Sequence, residues 1–317
     1  MIIRSNSKES SVCGDYEKYL LFGWVTQLRR WAFLKSNKEK VVKISVIGEV
    51  SHPLKRSAFR LDGEGVPHSF PGTGGITYNF TLGDDAFRLA GDHVEPDVST
   101  KNPDKEKNIA YVSYSCLGNE AVVVSGDAKG SKGHVIGKHG GIDHIMIHFD
   151  EETKHKLVIG DKIQIKGWGQ GLVIEGFAGL KVYNIDPDLL DKLPVSIKDG
   201  SVVFPVVTSI PGYLMGSGVG SGNPTGTDYD IITHDRSLIN RLEIDKLRIG
   251  DFVAIENHNN SYGIGGYKEG AISIGVVAHS DCISTGHGPG IVVIMTSPDD
   301  IIKTEISKEM NLQHFLG

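Results

Sequence analysis

Cysteine is scarce: Cys13, Cys116 and Cys282 are the only three in 317 residues. They are far apart and odd in number, and no C-x-x-C occurs. That argues against a disulfide framework and points to a reducing, cytoplasmic setting. Cys116 lies in an apolar stretch and reads as a buried filler. Cys282 lies in a histidine-bearing loop, where an inert thiol is the commoner outcome, since the sequence guarantees no cation to lower its pKa. A basic excess is also missing. The net charge is −6, there is no long single-sign run, and aromatic and basic residues do not interleave, so nucleic acid is not an expected partner. No apolar run approaches the ~18 residues of a membrane-spanning helix. The apolar stretch Tyr19 to Val25 is short, follows acidic residues and lacks a small-residue cleavage site, so it does not read as a secretory signal.

What is abundant is glycine, 40 residues. The apolar segments are short and rich in Val and Ile. Together these predict a mainly β, multi-domain protein of sandwich or barrel type with a few peripheral helices. Apolar positions 20, 21, 24, 25, 28, 31 and 32 keep a 3.6-residue period, which predicts a helix over 16–35 within an extension spanning 1–40. That helix either packs on the β body or a subunit contact, or meets a membrane surface or partner. A main β domain is expected from 41–119 and 186–297, with strands at 41–50 and 76–80. A small barrel is expected at 120–185, with strands at 121–124, 142–149, 162–167 and 171–176. Asp186 and Pro187 open a short capped helix. Residues 298–317 are expected to form a C-terminal helix. The segments Leu157 to Ile165 and Leu247 to Ile255 echo each other at Leu, Ile, Gly, Asp and Ile. This is a turn device leading into a strand.

Four clusters carry candidate chemistry. The first is the loop from Ala278 to Gly290, where strand 272–277 ends. His279 and Asp281 are two apart, so on extended backbone they share a face with Cα atoms ~6–7 Å apart. His287 can fold back between Gly286 and Gly288. His279, Asp281 and His287 are thus candidate ligands for a divalent zinc, manganese or iron ion. Hydrogen bonding to the loop's own backbone is the alternative. The second cluster runs from Glu256 to Gly263, with Glu256 as a candidate base and Asn257 and His258 as binding residues. A solvated loop is the alternative there. The third is the Gly/Ser/Thr loop from Ser217 to Asp230. It lacks the Gly-Lys-Ser/Thr of a P-loop and the setting of a Rossmann turn. Ser217 is a binding candidate, and Asp228 and Asp230 are paired carboxylates for a base or a metal, or for a turn. The fourth contains His134, His139, Asp143, His144 and His148. His144 and His148 share a face but stand ~13 Å apart on a strand, so one ion cannot hold both, and both are expected to be exposed. His139, at a turn, is kept as a binding residue, as is Asn79.

The strings Pro71 to Asn79, Gly91-Asp-His-Val-Glu-Pro96, Gly126-Asp-Ala-Lys-Gly130, Gly137-Lys-His-Gly-Gly141, Gly226 to Ile231 and His279-Ser-Asp with Gly286 to Gly290 occur in one order. In this the chain resembles the domain of unknown function 4438 family over about residues 41–297. The resemblance implies a β-rich, multi-domain fold and carries no activity with it. A weaker likeness to the acetamidase/formamidase family rests on Gly226 to Ile231 and Leu247-Arg-Ile-Gly-Asp251. There Val253 stands in place of a His, and His258-Asn259-Asn260 replaces Asp-Gly-Glu. Two functions follow as expectations. One is a metal-assisted hydrolase of a small polar or amide substrate. The other is a non-enzymatic small-molecule-binding or scaffold protein. A homo-oligomer is expected in either case.

Overall fold

The computed structural model describes residues 34–55, 57–219, 223–261 and 266–316. The helix expected over 16–35 falls almost entirely outside them. The described chain is mainly β, with a closed six-stranded barrel and several further sheets. Among the described residues no helix is long and apolar enough to cross a membrane.

The barrel runs in the order Ile44–Val50, Val98–Lys101, His144–His148, Lys132–His139, Glu120–Val123, Lys162–Gly167. Val135, Ile145, Ile147, Ile163 and Ile165 fill it and are fully buried. It extends beyond the expected 120–185 segment, since two of its strands lie ahead of residue 120. The reason is long-range pairing. Ile44–Val50 lies antiparallel to Lys162–Gly167, with Ile44 opposite Gly167 and Glu49 opposite Lys162. Local periodicity identifies a strand but not its distant partner. Stretches 76–80 and 171–176 are not strands. The first is turn structure touching the barrel at an isolated Ile76–Val98 bridge, and the second is bounded by Gly171 and Gly176 at positive φ.

The second large sheet has the order Thr208–Pro211, Phe252–His258, Tyr267–Val277, His287–Ser297, Tyr229–Ile232, and Lys181–Val182 also pairs with His287–Ser297. Its central strands are apolar on both faces. Ile274, Val276, Ile291, Val292 and Ile294 are fully buried, as expected for a sheet covered on both sides. The third sheet corrects the C-terminal expectation. Instead of a helix over 298–317 there is a strand, Ile302–Ile306, running parallel to Ser201–Val206, and then a single 3₁₀ turn, Leu312–His314. Ile302, Thr304 and Ile306 are β-branched and alternate, which suits a pleated surface better than a helix.

The two echoed segments form matching turns. Gly160 and Gly250 have φ of 92° and 87°. Asp161 and Asp251 accept from the backbone N–H of Val158 and Arg248, at 3.0 and 2.8 Å. The short helix Pro187–Lys192 is capped by Asp186, with Pro187 in its first turn. What matters for function is the seam between barrel and second sheet. Gly137 of the barrel lies against Ala278, and Gly140 lies against Thr227 so closely that neither position has room for a Cβ.

Candidate metal centre

Four segments meet at that seam. The Lys132–His139 strand ends at His139. The connection before Val98–Lys101 carries Asp92, His93 and Glu95. The Tyr229–Ile232 strand brings Asp228 and Asp230, and the two ends of the 278–287 loop bring His279 and His287.

Asp228 and Asp230 are two apart and project to one face. Both are buried. The Asp228 Oδ1 accepts from the Gly140 N–H at 2.8 Å, which leaves Oδ2 for other use. Across the sheet, Asp230 is in register with Gly290, and a shift in register follows before Ile232 pairs with His287. The missing side chain at 290 makes the space. A Cβ there would run into both Asp228 Oδ2 and His279 Nε2.

His279 is fully buried. Its Nδ1 donates to the Ser280 carbonyl at 2.9 Å, so Nε2 is the nitrogen turned toward the carboxylates. It stands 2.9 Å from Asp228 Oδ2 and 3.2 Å from Asp230 Oδ1. The first separation would suit a hydrogen bond, yet the atoms are not aligned as donor and acceptor. Both Asp228 Oδ2 and His279 Nε2 are buried without a hydrogen-bond partner among the described residues. Two lone-pair atoms turned toward one point are what a cation requires. Burial lowers the His279 pKa, but Asp228 and Asp230 outweigh it and hold the pKa well above the ordinary histidine value. Burial likewise favours a neutral Asp230, while the neighbouring imidazoles of His279, His287 and His93 drive its pKa far below the carboxylate range. At any imidazole a metal ion and a proton compete for the same lone pair.

The other oxygen of Asp230 faces a second pair of imidazoles. His287 Nδ1 is 2.7 Å from Asp230 Oδ2. His93 Nε2 is 3.9 Å from the same oxygen and 3.4 Å from His287 Nδ1. His93 has φ of 55°, a left-handed conformation that is uncommon for a residue with a side chain. Its N–H is anchored on the Asp281 carbonyl at 3.2 Å. Burial is the main cause of its lowered pKa, which favours neutral imidazole.

Behind these residues Glu95 is fully buried. It accepts from His139 Nδ1 at 2.6 Å, His144 Nδ1 at 2.8 Å, Gly74 N at 2.8 Å and Ser99 Oγ at 2.5 Å. Burial would raise its pKa, but His144 and His139 overcome that and hold it well below the usual range. A carboxylate can only accept, so both histidines carry their proton on Nδ1. The two are cross-strand partners in the barrel hairpin, which is why one carboxylate serves both. The His139 ring stacks on His279 with centroids 4.2 Å apart.

A cleft of about 380 Å³ opens over this cluster. His93, His139, Asp230 and His287 line it, together with Ser217, Thr285, Lys55 and Arg60.

The expected site residues divide. His279, His287, Asp228, Asp230 and His139 come together, and Ser217 lines the same cleft. Asp281 does not join them. Its carboxylate is taken by Thr233 Oγ1 at 3.1 Å, Cys282 N at 2.8 Å and Arg236 at 2.8 Å. The strand ends at Val277 and the backbone bends at His279, so the extended-strand geometry that would align Asp281 with His279 does not apply. Glu256 and Asn79 are exposed and outside the cleft lining. Asn257 sits at a register shift within the Phe252–His258 strand and accepts from Gly270 N, and His258 is buried against Ser273 and Tyr229. His144, expected to be exposed, is fully buried under Glu95. Cys282 donates to Asp92 at 2.8 Å, and burial first, then Asp92, pushes its thiol up to about 11. Sequence reasoning missed His93 and Glu95. The Gly91-Asp-His-Val-Glu-Pro96 string was the available signal, since three ionisable residues there precede a strand buried on the barrel wall.

The family profiles for domain of unknown function DUF4438 match the chain, the N-terminal domain over residues 59–191 and the C-terminal domain over residues 192–316. A solved structure described as the crystal structure of TM1086 is similar with a TM-score of 0.86 and 48% sequence identity, over 90% of this chain and 100% of that one. No curated protein matches.

Proposed function

Since the chain belongs to the DUF4438 family, whose description assigns no activity, we propose from the site alone that it is a metal-dependent hydrolase of a small polar substrate, amides included. The observation that carries this is the pair of buried, unpartnered atoms His279 Nε2 and Asp228 Oδ2, 2.9 Å apart beside Asp230. Asp228, Asp230 and His279 present ligand atoms that all lie within 4.8 Å of one another. A mixed imidazole and carboxylate set suits zinc, manganese or iron.

Asp228, Asp230 and His279 would hold a divalent ion, which when bound would lower the pKa of a water and polarise a carbonyl oxygen. The chain's own residues do the rest. The Gly140 N–H and the Ser280 carbonyl fix Asp228 and His279, so that each offers one defined atom. Glu95 fixes the tautomer and orientation of His139, in the manner of the outer-shell carboxylates that hold metal-site histidines. His139 lines the cleft, and the nitrogen across its ring from Nδ1 is the proton acceptor for the attacking water. It returns that proton to the leaving nitrogen or oxygen as the bond to the carbonyl carbon breaks. Ser217, Thr285, Lys55 and Arg60 offer polar contacts to the substrate.

The test is elemental mass spectrometry on untagged protein, followed by a panel of small amides and esters. Near-stoichiometric metal, and turnover abolished by chelation and restored by one metal, are expected. Protein that takes up no added zinc, manganese or iron would sink the proposal. So would turnover unaffected by chelation or by His279→Ala.

A further inference from the structure

We infer that the centre holds two divalent ions bridged by Asp230. This rests on the metal reading of the same site and extends it to a second ion. The two carboxylate oxygens of Asp230 face different nitrogen sets. Oδ1 lies 3.2 Å from His279 Nε2. Oδ2 lies 2.7 Å from His287 Nδ1 and 3.9 Å from His93 Nε2. Each set closes on itself. Asp228, Asp230 and His279 form one group of ligand atoms within 4.8 Å of one another, and His93, Asp230 and His287 form another. Asp230 is the residue common to both.

Three further features support a pair. Among the described residues neither Asp228 Oδ2 nor His279 Nε2 has a hydrogen-bond partner, although both are buried and 2.9 Å apart, so the two atoms converge on one point with no donor between them. His93 and His287 bring two ring nitrogens to 3.4 Å, both beside a carboxylate oxygen. One proton can satisfy that contact, and a cation between the three atoms satisfies all of them. The charge also fits. Asp228 and Asp230 are carboxylates within the two sets, and Asp92 brings an oxygen within 4.8 Å of a His93 ring nitrogen, so anionic oxygens face both positions. A carboxylate bridging two ions about 3.5–4 Å apart is the arrangement used to clamp both the attacking and the leaving oxygen in hydrolysis. Three imidazoles among the five donors select transition ions over magnesium or calcium.

The experiment titrates metal-free, full-length protein with Mn(II) and reads stoichiometry together with electron paramagnetic resonance. Zn(II) serves as a second probe by elemental analysis. Two equivalents per chain and an exchange-coupled Mn(II) signal are expected. His287→Ala should lower the stoichiometry from two to one and abolish the coupling. His93→Ala is the parallel variant should His287→Ala fail to fold. A single, magnetically isolated Mn(II) in the wild type would overturn the pair and leave the one-ion hydrolase standing. Two uncoupled ions would also overturn it, because they would not share Asp230. Uptake of neither metal would overturn both readings.

Discussion

Asp228 Oδ2 and His279 Nε2 lie 2.9 Å apart, buried, and without a hydrogen bond between them. Gly290 is packed against both atoms. The pair exists in this form only because position 290 carries no side chain. Gly290→Ala should therefore displace the carboxylate or the imidazole. Metal affinity is expected to fall by 10-fold or more, while the β-sheet circular dichroism is retained. Isothermal titration with Zn(II) checks this, and an unchanged affinity would count against the site.

Glu95 holds two histidines with one buried carboxylate. Glu95→Gln keeps the shape but presents an amide N–H to a ring nitrogen already carrying hydrogen. Losing one partner of a buried charged network costs roughly 3–5 kcal/mol. Disturbing an outer-shell carboxylate typically lowers metal affinity or activity about 10–100-fold. Both a lower Tm and weaker metal binding are expected. A variant that loses stability but binds metal as the wild type does would show that His139 plays no part in the site.

The ionisation of His258 should be visible in acid. Burial pushes its pKa down to about 4, against about 6.5 in the unfolded chain. Between those values the unfolded state binds a proton that the folded state does not, so stability falls as pH drops from about 6.5 to 4. The loss is on the order of 3 kcal/mol, at about 1.4 kcal/mol per pH unit. Urea denaturation at several pH values should show this slope, reduced in His258→Gln. An equal slope in the variant would assign the acid sensitivity to other groups.

The Cys282 thiol, pushed up to about 11, is protonated at neutral pH. Native protein should react with iodoacetamide far more slowly at Cys282 than urea-unfolded protein does, as read by peptide mass spectrometry. Rapid native alkylation at pH 7 would reveal a thiolate that this geometry does not support.

Much of the fold was legible in the chain. Alternating Val and Ile between glycine-rich turns specify strands, and the Leu-x-Ile-Gly-Asp echo specifies two turns that the structure repeats in detail. These are local properties, fixed by side-chain period and by which residues accept positive φ. His279 and His287 beyond a strand end, Asp228 and Asp230 in a glycine-rich loop and His139 at a turn were also identifiable as candidate site residues. Which of them meet was not. Asp281 is two residues from His279, yet the backbone bends at His279 and the Asp281 carboxylate goes to Arg236 and Thr233. His93 and Glu95 lie far away in sequence and reach the centre through barrel closure. The partner of a strand, and the exclusion of water that turns Asp230 and His279 into a tightly coupled pair, depend on contacts between distant segments. Periodicity and composition carry no record of those contacts, so only the tertiary structure decided them.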